Sequence, residues 1–255
     1  FTVGFYMADI TEYVYRYSEE KNGFELEFAY AGGCDYYEHG VIKASPLHSM
    51  YSDYQDGFWP YSVYQYDENK KEFVEKVSVD QITNVPINSD VFPEEYDKDG
   101  DGKVYIVDQG ESVKYLDEQE YLAWKKQIFW MPEMKIDWCE LGSNKELLEE
   151  IDKNYDMEKL KRKVPRFSED DKINEAYYNA IKTLDTTGFL PDGRYCFAVE
   201  PDGRTDVERF QEQRAQHYSP ERVAVADVDG DGTVELLIFT VGFYMADITE
   251  YVYRY

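Results

Sequence analysis

Two acidic loops carry the residues of this chain whose types and spacing could do chemistry. DVDGDGTVE, from Asp227, and DKDGDGKVYIVD, from Asp97, each place Asp at every second position and turn on a glycine. In the first loop Asp227, Asp229 and Asp231 fill positions 1, 3 and 5, Gly232 sits at 6, the Thr233 carbonyl falls at 7 and Glu235 at 9. Calcium takes about 6–8 oxygen ligands at about 2.3–2.6 Å, and this spacing aims carboxylates and one carbonyl at a single point. Ile238 stands at position 12, where a helix–loop–helix site would carry its closing acid. The flanks RVAVAD and VELLIFTVGF are rich in β-branched and aromatic residues, so strands are expected on both sides of the loop.

The second loop has the converse pattern. Asp97, Asp99 and Asp101 fill positions 1, 3 and 5, the Lys103 carbonyl falls at 7, and Tyr105 at 9 leaves a place for water. Asp108 stands at 12, where a single Asp reaches less well than a bidentate Glu. One or two calcium ions are therefore expected, the Asp97 site being the weaker. The plainer reading of such a stretch is a solvated turn, because Asp and Gly favour turns through local hydrogen bonds and tolerance of positive φ. Three alternating Asp, a glycine at 6 and a further acid at 9 or 12 exceed what a turn requires.

Other chemistry is hard to locate. His39, His48 and His217 stand singly, with no HExxH spacing, no GxSxG and no phosphate-binding glycine loop. Among 53 acidic residues no spacing singles out a glycosidase-type pair. Tyrosine is abundant at 25 residues. It suits half-buried β surface with its hydroxyl at the water edge, and it also suits an aromatic platform for a glycan or peptide. Phe58 and Trp59, on a loop, are the candidate ligand-binding residues of such a platform.

AVADVDGDGTVELLIF resembles the strand–loop–strand calcium motif of FG-GAP and VCBS-type repeats. It is also similar to a motif of secreted proteins and lipoproteins of Firmicutes, in which a helix resembling INEAYYNAIKTL precedes a strand, an acidic loop and Tyr-rich hairpins. Val234 stands where that group usually has Pro. The resemblance implies Asp227, Asp229, Asp231 and Glu235 as metal ligands, an extracellular or cell-envelope location, and an unidentified ligand. It covers most of the chain only when the chain is read in rotated order.

The rotation has a visible cause. Residues 1–17, FTVGFYMADITEYVYRY, recur without change at 239–255, so the sequence reads as a circle of 238 residues opened with an overlap. Ordinary internal repeats drift and extend over whole modules. An engineered circular permutant with a duplicated strand, a window on a tandem array and an error in the recorded sequence all fit, the first two being favoured, and the missing initiator Met suggests a fragment or processed product. If the fold has one slot for the segment, the spare copy is free to swap or self-associate through 1–17 and 239–255.

Bulk composition narrows the classes. A formal charge of −26 over 255 residues argues against nucleic-acid partners and anionic membranes. The longest uncharged apolar run, Leu236–Ala246, has 11 residues, short of the ~18 of a membrane span. Cys34, Cys139 and Cys196 show no CxxC spacing and read as buried free thiols.

The elements that must position the loops follow from periodicity. Strands are expected at Ile10–Tyr17, Phe24–Tyr30, Asp35–Lys43, Tyr61–Tyr66 and Phe73–Val79, with Glu25 and Glu27 on a wet face opposite Phe24, Leu26 and Phe28. A short strand is expected near Tyr195–Val199. Helices are expected at Asp117–Phe129 (Tyr121, Leu122, Trp124 and Ile128 inward), ahead of the basic patch Lys159–Lys163, from an S-x-x-D cap at Ser168 and Asp171 to Leu184, and from Thr205 to about Tyr218. The fold class is α+β: an antiparallel Tyr-rich sheet of hairpins, four or five peripheral helices and two Asp-rich metal loops. The regions are a hairpin region (1–143), a charged helical seam (144–170) and a helix–strand region with the duplicated end (171–255), integrated in one domain. A calcium-binding, adhesive or ligand-binding module, leaning away from an enzyme, is the expected function. A secreted carbohydrate or peptide hydrolase with structural calcium is the alternative, and a close acid pair with raised pKa in a cleft would mark it.

Overall fold

Tyr13, Tyr15 and Tyr17 alternate with Val14 and Arg16 along one strand, and that period of two gives the strand two packing faces. In the computed structural model, which describes residues 7–45, 60–81, 100–141, 155–194 and 219–244, the elements in chain order are β1 (Met7–Ser18), β2 (Gly23–Tyr30), β3 (Gly33–Tyr37), β4 (Val41–Ser45), β5 (Tyr61–Asp67), β6 (Glu72–Gln81), β7 (Tyr105–Asp108), β8 (Val113–Leu116), α1 (Glu118–Ile128), β9 (Cys139–Glu140), α2 (Met157–Lys163), α3 (Asp171–Thr187), β10 (Ser219–Ala226) and β11 (Glu235–Tyr244). They form two antiparallel sheets, β2-β1-β11-β10-β9 and β3-β4-β5-β6-β7-β8. The architecture is α+β with sheet dominant.

Three apolar layers hold the stack together. Between the sheets, Val14, Phe28, Ala224, Val228 and Leu237 meet Tyr36, Ile42, Ala44 and Phe73. On the outer face of the first sheet, Tyr15, Val223, Leu236 and Ile238 pack on Leu160 of α2 and on Tyr177, Tyr178, Ile181 and Leu184 of α3. On the outer face of the second, Val41, Val63, Val77, Val79 and Val107 pack on Tyr121 of α1. The order is helices, sheet, sheet, helix. Neighbouring β1 residues therefore serve different layers, Tyr15 the helical one and Val14 the inter-sheet one.

Several expectations needed correction. Asp35–Lys43 is not one strand but the hairpin β3–β4, because His39 and Gly40 both take positive φ (65° and 68°) and reverse the chain. The alternation in β2 breaks at a bulge: Val14 pairs Phe28 but Tyr15 pairs Leu26, so Glu27 is the extra residue. Glu27 is consequently buried while Leu26 is exposed, the reverse of the wet-face expectation. In α1 Leu122 is exposed and only Tyr121 is fully buried.

Helix starts also moved. Asp117 caps α1 through a complete capping box with Glu120, as its sequence suggests. The N-cap of α3 is Asp170, whose side chain accepts from Lys172 N, and Ser168 instead accepts from Asp170 N. The basic patch Lys159–Lys163 is itself the helix α2. The described residues hold three helices, against four or five expected. The helix expected from Thr205, the strand near Tyr195, and 142–154 of the charged seam lie outside the described residues. Cys34 and Cys139 are free, and Cys196 lies outside that set. Among the described residues no helix is long and apolar enough to cross a membrane.

Candidate metal centre

The Asp227 loop joins β10 to β11, the two strands its flanking residues called for. Its acids first organise the loop itself. Asp227 accepts from Gly230 N (2.8 Å) and Gly232 N (3.0 Å), Asp229 from Asp231 N (3.0 Å), and Asp231 from Thr233 N (2.7 Å). Gly232, at position 6, has φ 89°, a conformation that L side chains rarely adopt. Asp229 and Glu235 are buried, Asp227 is half-buried, and Asp231 and Thr233 are exposed. Glu235 closes the loop from the first residue of β11 by accepting from Val228 N at 2.9 Å.

Two groups of three carboxylates result, and they share Asp229. In Asp227–Asp229–Asp231 and in Glu27–Asp229–Glu235, one oxygen from each residue lies within 4.8 Å of the others. The spacing of the sequence contains the first group. The second was not foreseen, because Glu27 enters from the β2 bulge, two hundred residues away in sequence.

Arg16, on the inter-sheet face of β1, was also missed. Its guanidinium pairs with Asp229, with Asp231 (2.6 Å) and with Glu235 (3.4 Å). Arg16 Nε lies 2.8 Å from Glu27 Oε1 as an ion pair without hydrogen-bond geometry. The guanidinium also sits over the Tyr66 ring at 5.7 Å, and the Tyr66 hydroxyl donates to Glu27 Oε1 at 3.2 Å. Glu27 Oε2, buried, has no hydrogen-bond partner among the described residues. A register-specific contact across β1, β2 and β11 leaves no local sequence signal, beyond an Arg set among strand tyrosines.

The electrostatics follow from burial. Glu235 is pushed up to about 8, chiefly by desolvation, although the Val228 N–H opposes it. Glu27 rises to about 7 for the same reason, against the pull of Arg16. Asp231 is held below the usual carboxylate range: its partial burial works the other way, but Thr233 N–H and Arg16 outweigh it. Burial opposes the charge on Arg16 too, and Asp231, Glu27 and Glu235 more than restore it. Four carboxylates thus pair with the guanidinium of Arg16.

The β3–β4 turn backs the loop. A Cβ on Gly40 would lie 2.6 Å from the Asp229 carbonyl oxygen, so only glycine fits there. His39 of the same turn stacks on Trp130 at 5.5 Å, and Trp130 is 68 % exposed. The sequence did not single out Trp130, which is exposed beside the acidic loop through this stack.

Of the remaining expected site residues, the structure describes Asp101, Lys103 and Asp108. Asp97 and Asp99, and with them Phe58 and Trp59, lie outside the described residues. Asp101 is exposed and accepts from Lys103 N at 2.9 Å; Lys103 is half-buried. Asp108 ends β7 and accepts from Gly110 N at 2.8 Å in the turn to β8. No family model, no curated protein and no solved structure matches the chain. The functional reading therefore stands on the loop's own geometry.

Proposed function

We propose that the protein is a calcium-binding, ligand-binding or adhesive module of an extracellular or cell-envelope protein, with the Asp227 loop as its principal ion site. The observation that carries this is the pair of carboxylate triads sharing Asp229, with the buried Glu27 Oε2 beside them lacking a hydrogen-bond partner among the described residues. Asp227, Asp229 and Asp231, the Thr233 carbonyl and Glu235 would supply oxygens of the kind a hard cation takes. Arg16 pairs with Glu27, Asp229, Asp231 and Glu235, and a divalent ion would draw the protons from Glu27 and Glu235, which burial raises to about 7 and about 8. Burying such an excess of acid without a cation is costly. Asp101, the Lys103 carbonyl and Asp108, with Asp97 and Asp99, form the weaker second site of the same proposal. Trp130 over His39, adjoining the first loop through Gly40, is the surface we assign to the ligand.

The hydrolase alternative fares worse on geometry. Glu27 and Glu235 are a close acid pair with raised pKa, but they are 6 % and 0 % exposed and face the inter-sheet layer. A glycan cannot reach them. The test is thermal melting of chelator-stripped protein with and without millimolar calcium. A ligand that binds only the native form at about 100 times its Kd adds roughly 2.7 kcal/mol, which moves the midpoint by several degrees. D227N/D231N should lose the shift. Identical melting curves for the native protein in chelator and in calcium would refute the proposal.

A further inference from the structure

β1 and β11 pair as the two arms of one hairpin, yet the arms come from different copies of the repeated segment. Met7 lies opposite Tyr244, Ala8 opposite Phe243, Asp9 opposite Gly242 and Ile10 opposite Val241. Within one copy, the residue equivalent to Tyr244 is Tyr6, the immediate predecessor of Met7. Every pair is therefore symmetric about a Tyr–Met link. A single uninterrupted copy folding back at that link would have this same register. The register is not incidental, since a slip of one residue would turn Val14 to the helical layer and Tyr15 to the inter-sheet layer. The second copy thus supplies the first arm as β11, and the first copy supplies the second arm as β1.

We propose that residues 245–255 of the same chain compete with residues 7–17 for the β1 position, giving the protein two folded frames. The sequence 245–255 is MADITEYVYRY, identical to 7–17, so every residue of β1 except Ser18 has a duplicate: Glu250 for Glu12, Val252 for Val14, Tyr253 for Tyr15 and Arg254 for Arg16. Met7 lies opposite Tyr244 and Ala8 opposite Phe243, so a chain that reversed at Tyr244–Met245 would run along the positions of residues 8–17. The hairpin closes through Tyr244–Met245 or, with one pair opened, through the four residues 243–246, a common hairpin loop length. β2 keeps a partner of the same sequence on one side, and β11 on the other. No strand pair is lost in the exchange, and residues 7–17 leave the sheet.

Attachment decides between a segment of the same chain and a second copy. An occupant linked by one bond has a far higher effective concentration than a second molecule has at ordinary protein concentrations. Interconversion must open β1 along both edges, a sub-global unfolding that makes exchange slow compared with loop motion. In either frame an arginine, Arg16 or Arg254, faces the acidic loop, so the ion site does not by itself favour one frame.

Placing a charge in one copy at a time tests the proposal. Val14 is fully buried, and V14D, V252D and V14D/V252D are compared by thermal melting, size-exclusion chromatography and a brief trypsin pulse read by mass spectrometry. The expected result is that each single variant melts cooperatively within about 4 °C of the parent, while the double variant loses its transition. V14D should shed residues 1–16 to trypsin, and V252D should keep them. If V14D is as damaged as the double variant, only 7–17 can form β1 and the proposal fails. If V14D folds solely as a dimer, the replacing strand comes from a second copy and the intramolecular exchange is wrong.

Discussion

Arg16 is the residue on which the acidic site turns. Among the described residues, its guanidinium is the one cation paired with Glu27, Asp229, Asp231 and Glu235. Removing one partner of a buried charge group typically costs about 3–5 kcal/mol, because the others are left uncompensated. R16A/R254A, which removes the arginine from both copies, should lower the melting midpoint sharply in chelator. Calcium should then restore more stability than it adds to the parent, since the ion would be the only remaining counter-charge. Melting both proteins with and without calcium checks this, and an equal calcium effect in the two would separate Arg16 from the ion site.

Glu12 is a further buried acid, on the same face of β1 as Arg16 but away from the loop. Its carboxylate accepts from Cys34 N and the Tyr36 hydroxyl, each at 2.9 Å, and burial pushes it up from 4.5 to about 7 despite these donors and the nearby Arg222. Asp35 adds to the rise. Between about pH 4.5 and 7 the folded protein keeps a proton that the unfolded chain has released. Stability from this group is therefore largest below that window, falls as pH rises through it, and is flat above, a loss on the order of 3 kcal/mol. E12Q/E250Q should remove this part of the slope and be the more stable protein at pH 8. Urea unfolding of both proteins from pH 4.5 to 8 measures it.

At the scale of elements, the site depends on two backbone irregularities. The β2 bulge turns Glu27 inward, and the β3–β4 turn lets Gly40 approach the Asp229 carbonyl. G40A would place a methyl 2.6 Å from that carbonyl oxygen at a φ of 68°, so either the turn or the loop must move. A loss of roughly 1–3 kcal/mol is expected, from the positive φ and the overpacking together. Calcium affinity should fall as well, which calorimetric titration would register; unchanged affinity would mean the turn does not position the loop.

These irregularities also mark where the sequence stopped being readable. The ligand spacing of Asp227, Asp229 and Asp231 was legible because the loop is local: three side chains and one glycine within five residues determine it. The strands at Met7–Ser18, Gly23–Tyr30 and Tyr61–Asp67 were legible through alternation and β-branched or aromatic content. Glu27 was misread because one inserted residue inverts every later face of a strand, and nothing in GFELEFAY announces the insertion. The β3–β4 reversal was missed because His39 takes a left-handed conformation that only the following glycine hints at. Arg16 could be assigned only after β1 was registered against β11.

At the scale of the molecule, two sheets pack face to face and each carries helices on its outer side. Such stacking lets one strand serve two layers, and β1 does so with Tyr15 outward and Val14, Glu12 and Arg16 inward. The duplicated segment therefore supplies a core strand, the buried acid Glu12 and the counter-charge of the ion site. A formal charge of −26 leaves most acids on solvated surface, but Glu27, Asp229 and Glu235 are buried together. Their excess of carboxylate is what the calcium reading explains. The most direct test is anomalous X-ray scattering from crystals grown in millimolar calcium. The account predicts a calcium peak about 2.3–2.6 Å from oxygens of Asp227, Asp229 and Asp231. A map with no peak there, and Arg16 still seated among the same carboxylates, would contradict it.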